Sequence, residues 1–448
     1  MQSRRDHVQA YQFATTRLAT ALVTGEVSTS EQPMRRSGMG FVFGAVVAAL
    51  VCGIFAVIGL ISPGAATDWK LPGSIILEKE TGNRYLFLNG TLLPTLNTTS
   101  AMLYYAGGKT QPVFRTVSQA SLAGVPHGRA VGIPGAPDSL PGAKNLLPAR
   151  WALCVAPDQG APSMVVELGG GAGATPMPAD EKMLVVTPDG AEYVAWHGAV
   201  YPIASRTVQV ALGLGDVPPT VVPPSWVKTV PSGGTIDIPA IPGAGGPGPV
   251  IEGQPTTTGQ LISTVINGHT QYYVLFGDGV APLNTTTFAL LAALAPASQL
   301  RGISAAALAA LPVSAQSALL RAVPDLAAAP LYQAGQSAVC AQQSSSGSVV
   351  SPGTLVTEQL GVPTGTTLKV PAGKGMLASA PAPATGGGQE FLITDVGVKF
   401  ALSKEAAQTL QLPDTAVTVP AQVLAAIAAG PNLVTGSAVL AAGRTGGQ

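Results

Sequence analysis

GNRYLFLNGTLLPTLNTTSAML, residues 82–103, decides the reading of the fold, because its pattern returns three more times. The other copies are GAEYVAWHGAVYPIASRTVQVAL at 190–212, HTQYYVLFGDGVAPLNTTTFALL at 269–291 and GQEFLITDVGVKFALSKEAAQTL at 388–410. In each, an aromatic residue (Tyr85, Tyr193, Tyr273, Phe391) is followed nine positions later by a second anchor (Pro94, Pro202, Pro282, Phe400). Between them lies Gly90, Gly198, Gly279 or Gly397, preceded at two places by Asn89 or Asp278, so an Asn-Gly or Asp-Gly hairpin turn joins two short strands. Three residues past the second anchor come Asn97, Ser205, Thr285 and Ser403, side chains suited to cap the short helical pattern that follows. Each unit thus reads as a hairpin plus a helix, too small to bury its own apolar face and expected to pack on a neighbour.

The copies group into two halves. Cys154 follows Tyr85 at nearly the same offset as Cys340 follows Tyr273, and the flanks ALCVAP and AVCAQQ agree. Each half reads as repeat, centre, repeat, with the two centres combining into one shared core. In an oxidising compartment cysteines at equivalent places in a duplicated core are expected to pair, the alternative being two buried thiols. Long Pro/Gly-rich runs, such as the one from Val217, read as extended connections and linkers.

A second decisive stretch is MGFVFGAVVAALVCGIFAVIGLI, residues 39–61, which carries no charge. As a helix it is about 33 Å long, enough to cross a hydrocarbon layer of roughly 30 Å. Arg35 and Arg36 precede it and Arg4, Arg5 and Arg17 lie upstream, whereas Asp68, Trp69 and Lys70 follow, so the N-terminus is expected in the cytoplasm. Gly64-Ala65-Ala66 would suit a signal peptidase, but the apolar core and the polar leader are both too long for a cleaved peptide, which favours an uncleaved anchor. Cys52 sits inside the span as a small apolar thiol. The leader RRDHVQAYQFATTRLATALVTGE places Val8, Tyr11, Thr15, Leu18 and Leu22 at helical spacing, and Tyr11, Leu18 and Leu22 are candidates for docking a cytosolic partner. A basic helix lying on the inner leaflet is the alternative.

The resulting expectation is an α+β chain. Residues 1–38 form a cytosolic amphipathic basic helix, 39–61 a transmembrane helix, and 62–448 an elongated extracytoplasmic region. Repeats lie near 75–130, 185–240, 262–325 and 383–435, around a β-rich core drawn from about 140–170 and 330–360. Composition agrees: 54 glycines, 39 prolines, 10% charged and 5% aromatic residues fit short strands and many turns. The 23 basic and 23 acidic residues cancel, so no global field points to nucleic acid.

Catalytic chemistry finds little footing. His7, His127, His197 and His269 are scattered without cysteine or carboxylate partners at ligand spacing, so no metal site is expected, and no G-x-S-x-G elbow appears. Gly107-Gly108-Lys109-Thr110 ends like a phosphate-binding loop, but its first glycine would have to stand where Leu103 stands, and Lys109 reads as a solvated loop residue. GGGAGAT from Gly169 reads as flexible linker. Asn97-Thr98-Thr99 and Asn284-Thr285-Thr286 match the N-glycosylation pattern, yet both fall at helix starts, where capping accounts for them.

RRDHVQAYQFATTRLATALV at the N-terminus, GIPGAP from Gly132, WALC from Trp151 and QYYVLFGDGVAPLNTTT from Gln271 resemble EccB, the single-pass membrane subunit of type VII (ESX) secretion systems. The resemblance implies a central domain flanked by four repeats of one small fold, with a central disulfide carried here by Cys154 and Cys340. It implies a structural core role in the secretion membrane complex at the inner membrane, beside EccC, EccD and EccE-like subunits, with self-association outside the membrane. No catalytic residue or cofactor is expected. Some family members bear an ATPase label, which makes an ATP-hydrolysing subunit one alternative, and an extracytoplasmic cell-wall binding module another. The fourth repeat departs from the pattern at Phe400, which stands where the others have proline.

Overall fold

The structure, a computed structural model, describes residues 4–25, 34–61, 67–108, 111–156, 164–170, 173–295, 300–360, 367–381 and 388–445. Two compact units emerge, one of residues 1–83, 87–92 and 113–127, the other of residues 84–86, 93–112 and 128–448.

The first unit holds two long helices, α1 (Arg4–Thr24) and α2 (Met34–Ile61). Gly38–Val57 of α2 is apolar and none of it is buried by protein. Beyond them β1 (Ser74–Glu78) runs parallel to β4 (Val113–Val117), and a helical turn, α4 (Gln119–Leu122), follows. Ile75 and Ile76 are fully buried, and Trp69 packs edge-on against Phe87 at 5.1 Å between ring centroids.

The recurring segments each form a hairpin: β2 (Arg84–Leu88) with β3 (Thr91–Pro94), β9 (Glu192–Trp196) with β10 (Ala199–Pro202), β13 (His269–Phe276) with β14 (Gly279–Leu283), and β21 (Glu390–Thr394) with β22 (Val398–Leu402). The helices α3 (Thr98–Tyr104), α5 (Arg206–Ala211), α7 (Thr285–Ala292) and α9 (Lys404–Thr409) follow them. Asn89 and Gly90 have φ of 46° and 78°, and His197 and Gly198 have 49° and 73°, the left-handed pairs that a tight two-residue hairpin needs.

Two expectations shift by a residue. In the third hairpin the turn is Gly277-Asp278, not Asp278-Gly279, because Gly279 already pairs with Phe276. Glycine is required there by space, since a Cβ would lie 2.2 Å from the carbonyl oxygen of Pro312. The following helix is capped by Asn284 rather than Thr285, since the Asn284 side chain accepts the Thr287 N–H. The fourth hairpin has a three-residue turn closed by Gly397 at φ 82°. Phe391 consequently pairs with Ala401, whereas Tyr193 pairs with Pro202 and Tyr273 with Pro282. Phe400 falls beside Leu392 and is buried. The nine-residue spacing at that place is therefore no sign of equivalence.

Each hairpin belongs to a larger sheet. A preceding strand, β8 (Met183–Val186), β12 (Leu261–Ile266) or β20 (Gly375–Ser379), pairs antiparallel with it, and a short parallel strand, β11 (Thr220–Val221), β15 (Arg301–Gly302) or β23 (Val417–Thr418), lies beyond. The helical turns α6 (Pro224–Val227), α8 (Ala305–Ala309) and α10 (Ala421–Ala425) come next. The strand orders are β3-β2-β1-β4, β10-β9-β8-β11 and β14-β13-β12-β15. The last is β23-β20-β21-β22-β24, where β24 is Ala428–Ala429, and α11 (Ala438–Thr445) ends the described chain.

The largest sheet has the order β19-β6-β5-β16-β18-β7, with β17 (Val349–Val350) beside β16. Its strands are β5 (Arg150–Val155), β6 (Met164–Leu168), β7 (Thr175–Pro176), β16 (Ala338–Ser346), β18 (Thr354–Glu358) and β19 (Leu368–Lys369). One face buries Trp151, Leu153 and Val166 against Met183, Val185 and Trp226 on one side and Met376, Ile393 and Val423 on the other. Trp226 lies in the Pro/Gly-rich run from Val217, so this part of the run is core and not a linker. The helices extend the packing: Val208 and Leu212 from α5 and its end meet Leu290 of α7, while Leu103 of α3 joins Phe400, Ala407 and Val439. Helices only six to eight residues long have weak intrinsic stability and depend on such packing.

Candidate functional site

The second face of the large sheet is small and built around a disulfide. Cys154 of β5 stands directly opposite Cys340 of β16, with a Cα separation of 3.9 Å, and the two are bonded among Ala152, Val165, Ala338 and Val356. Lys369 of β19 pairs with Glu167 of β6 in the ladder and also reaches Glu358 at the end of β18. Its Nζ lies 2.8 Å from Oε1 of Glu167 and 3.1 Å from Oε1 of Glu358. Burial alone would lower the Lys369 pKa, but the two carboxylates outweigh it and raise it.

Helix starts carry the second polar arrangement. Asn97 Oδ1 accepts the Ser100 N–H, while its Nδ2 donates to the Ile133 carbonyl at 2.9 Å. The Ser100 hydroxyl accepts the Ile133 N–H, and Asp138 accepts both the N–H and the hydroxyl of Thr98. Asn284 repeats the device, with Nδ2 donating to the Val323 carbonyl and Asp325 serving Thr285 and Thr286. GIPGAP is thus a strap laid over the start of α3, and Gly132 at φ 137° leaves room for Leu96 and Ser100. Asn97 is 4% exposed with its amide engaged, which leaves no acceptor nitrogen for a sugar. Burial would raise the Asp138 pKa, but the Thr98 N–H and hydroxyl and the Arg84 guanidinium outweigh it and lower it.

Lys182, just before β8, is buried, and among the described residues no carboxylate pairs with it. Its ammonium donates to the carbonyls of Leu212, Leu326 and Ala327 at 2.9, 3.2 and 2.6 Å, tying the end of α5 to the segment after the third sheet. Burial lowers its pKa.

The docking candidates lie on α1 and are 73% (Tyr11), 65% (Leu18) and 82% (Leu22) exposed. Phe13, with the Arg17 guanidinium over its ring, lies off their line. Lys109 and residues 64–66 fall outside the described residues. At Gly107 the described partner is the Glu405 carboxylate: a Cβ there would sit 1.9 Å from its Oε1. A cleft of about 250 Å³ beside Gly107 and Gly108 is lined in part by Glu405, Gln408 and Thr409. The adjacent Tyr105 hydroxyl has its pKa pushed up to about 12 by burial and then by Tyr104. Among the described residues no three of His, Cys, Asp and Glu converge as a metal centre would require.

In the described chain one long apolar helix precedes several small sheets. The family model for "Type VII secretion system ESX-1, transport TM domain B" matches residues 1–445. The chain belongs to this EccB family. Curated relatives include the ESX-1 secretion system ATPase EccB1 of Mycolicibacterium smegmatis strain MKD8, 29% identical over 299 residues and 64% of this chain. The ESX-2 secretion system ATPase EccB2 of Mycobacterium tuberculosis is 30% identical over 301 residues and 64% of this chain. The EccB-family chain spans 60% and 59% of those two relatives' lengths. A chain of the intact ESX-5 inner membrane complex shares the fold, with a TM-score of 0.59 and 23% identity over 97% of this chain and 94% of that one. The EccB3 dimer from the ESX-3 core complex gives a TM-score of 0.55 and 25% identity over 80% of this chain and 98% of that one.

Proposed function

We propose that this EccB-family chain is a structural core subunit of a type VII (ESX) secretion membrane complex. The observation that carries the reading is the family match over residues 1–445, joined to a build of one apolar helix and several packed sheets. In this reading α2 crosses the inner membrane once, residues 1–38 face the cytoplasm and residues 62–448 lie outside, the orientation the arginines before the span favour. The hairpin-and-helix units are four copies of one fold, and their helices join them in pairs. EccC, EccD and EccE-like subunits are the partners, Tyr11, Leu18 and Leu22 dock on the cytosolic side, and further copies of the chain associate outside. No cofactor is assigned. A scaffold is favoured over ATP hydrolysis by the Glu405 carboxylate at Gly107.

The test is a mild-detergent pull-down of the tagged full-length chain from its native membrane, with mass spectrometry of what accompanies it. An assembly containing a membrane ATPase and a polytopic subunit supports the proposal. A chain recovered alone, under conditions that preserve other membrane complexes, overturns it. Replacing Tyr11, Leu18 and Leu22 by aspartate should release the cytosolic partners while leaving the chain in the membrane.

A further inference from the structure

Both oxygens of a buried carboxylate need donors or a counter-charge, and Glu167 and Glu358 have been given half of what they need. Their side chains are 8% and 7% exposed, and both present Oε1 to the single ammonium of Lys369. The remaining oxygens, Glu167 Oε2 and Glu358 Oε2, are buried with no N–H or O–H donor. The two carboxyl groups are within hydrogen-bonding reach of each other. Two carboxylates and one ammonium leave a negative charge uncompensated. Among the described residues, the neighbouring strands β5, β16 and β7 bring only Arg150 as a charged group, and it is exposed at the start of β5.

A proton shared between the two carboxyl groups supplies a donor they otherwise lack and makes the cluster neutral. We infer that Glu167, Glu358 and Lys369 form a proton-closed latch that fastens the end of β18 to β6 and the edge strand β19, and that a rise in pH loosens it. β19 has reason to depend on the latch, because only Leu368 and Lys369 pair with β6. When the pair loses its proton to solvent, two carboxylates face each other across one ammonium, and β18 and β6 are pushed apart about the Lys369 of β19. The direction is consistent with burial, and then with Glu358, raising the Glu167 pKa against the pull of Lys369. A carboxyl that holds its proton more tightly when folded stabilises fully below the ordinary glutamate pKa, and that stabilisation is lost as pH rises through the raised value.

The test uses the full-length chain in detergent. Infrared difference spectroscopy should show a glutamic acid that stays protonated above the ordinary glutamate pKa of about 4.3. That band should vanish in Glu358→Gln, whose amide N–H permanently takes the place of the proton. Hydrogen exchange of the β19 amides and of Val166, corrected for intrinsic rates, should accelerate by up to about tenfold per pH unit once the pair ionises, and stay flat in Glu358→Gln. Absence of the band, or pH-independent opening in the unmodified chain, overturns the inference. Glu167→Gln serves if Glu358→Gln does not fold; if neither folds, the band in the unmodified chain decides by its presence or absence.

Discussion

Cys154 and Cys340, 186 positions apart in sequence, face each other across adjacent antiparallel strands and close a bond within a ladder that already holds them together. Replacing both by alanine should leave the pairing of β5 with β16 in place, since six residue pairs remain in register. Stability should nonetheless fall by about 2 to 5 kcal/mol, because the unfolded chain regains the freedom of a very long loop. Thermal unfolding of the two forms side by side checks this, and far-ultraviolet spectra should coincide before the transition.

The caps should differ in weight. Asn97→Ala removes a helix cap and also leaves the buried Ile133 carbonyl without its donor, a loss of about 2 to 3 kcal/mol. Ser205→Ala removes a cap alone, about 1 kcal/mol. Denaturant midpoints should rank the two variants in that order, and intact-mass spectra should show Asn97 unmodified.

Lys182 should leave a mark at alkaline pH. Its lowered pKa means the folded state binds the proton less tightly than the unfolded chain, so stability rises as pH climbs from the folded value towards about 10.4. Lys182→Met should abolish that rise. It should also cost roughly 2 kcal/mol or more at neutral pH, since the Leu212, Leu326 and Ala327 carbonyls lose their donor.

Asp138 should matter at the other end of the scale. Its pKa is lowered in the fold, so its stabilising effect is present above the ordinary aspartate value of about 3.9 and is lost as pH falls through the folded value. Asp138→Asn should flatten the acid limb of the stability profile, measured by thermal unfolding at a series of pH values.

A charge in the middle of α2 should test the anchor. Ala48→Arg places a guanidinium near the centre of Gly38–Val57, at a cost of about 2.5 to 3.5 kcal/mol for insertion. The fraction of chain resisting alkaline extraction from membranes should drop, whereas Thr24→Arg, outside the apolar run, should leave it unchanged.

Much of the architecture was legible because turns and caps are local devices. Asn89-Gly90 and Ser205 announce their conformations through steric and hydrogen-bonding rules that need no partner. The strands β1 and β8, which open two of the small sheets, were not marked, since SIILE and MLVV carry no alternation when both faces are covered. The two-residue parallel strands β11, β15 and β23 are too short to leave any pattern. Phe400 misled because a one-residue change in turn length moves a side chain to the opposite face while preserving a count along the chain. Trp226 was hidden by the prolines around it, though an isolated tryptophan in such a run is a signal that the segment packs. Lys182 and the Glu167–Lys369–Glu358 cluster could not be seen, because their meaning lies in carbonyls and carboxylates brought from distant parts of the chain.

The interleaving of the central sheet has a consequence for biogenesis. β5 and β6 are synthesised early, but β16, the strand that completes them, comes only after the whole second and third sheets. A chain interrupted before Ala338 carries an open strand edge and an unpaired thiol at Cys154, both free to engage the wrong neighbour. Maturation therefore has a natural checkpoint: only a chain made past Cys340 can hide Cys154.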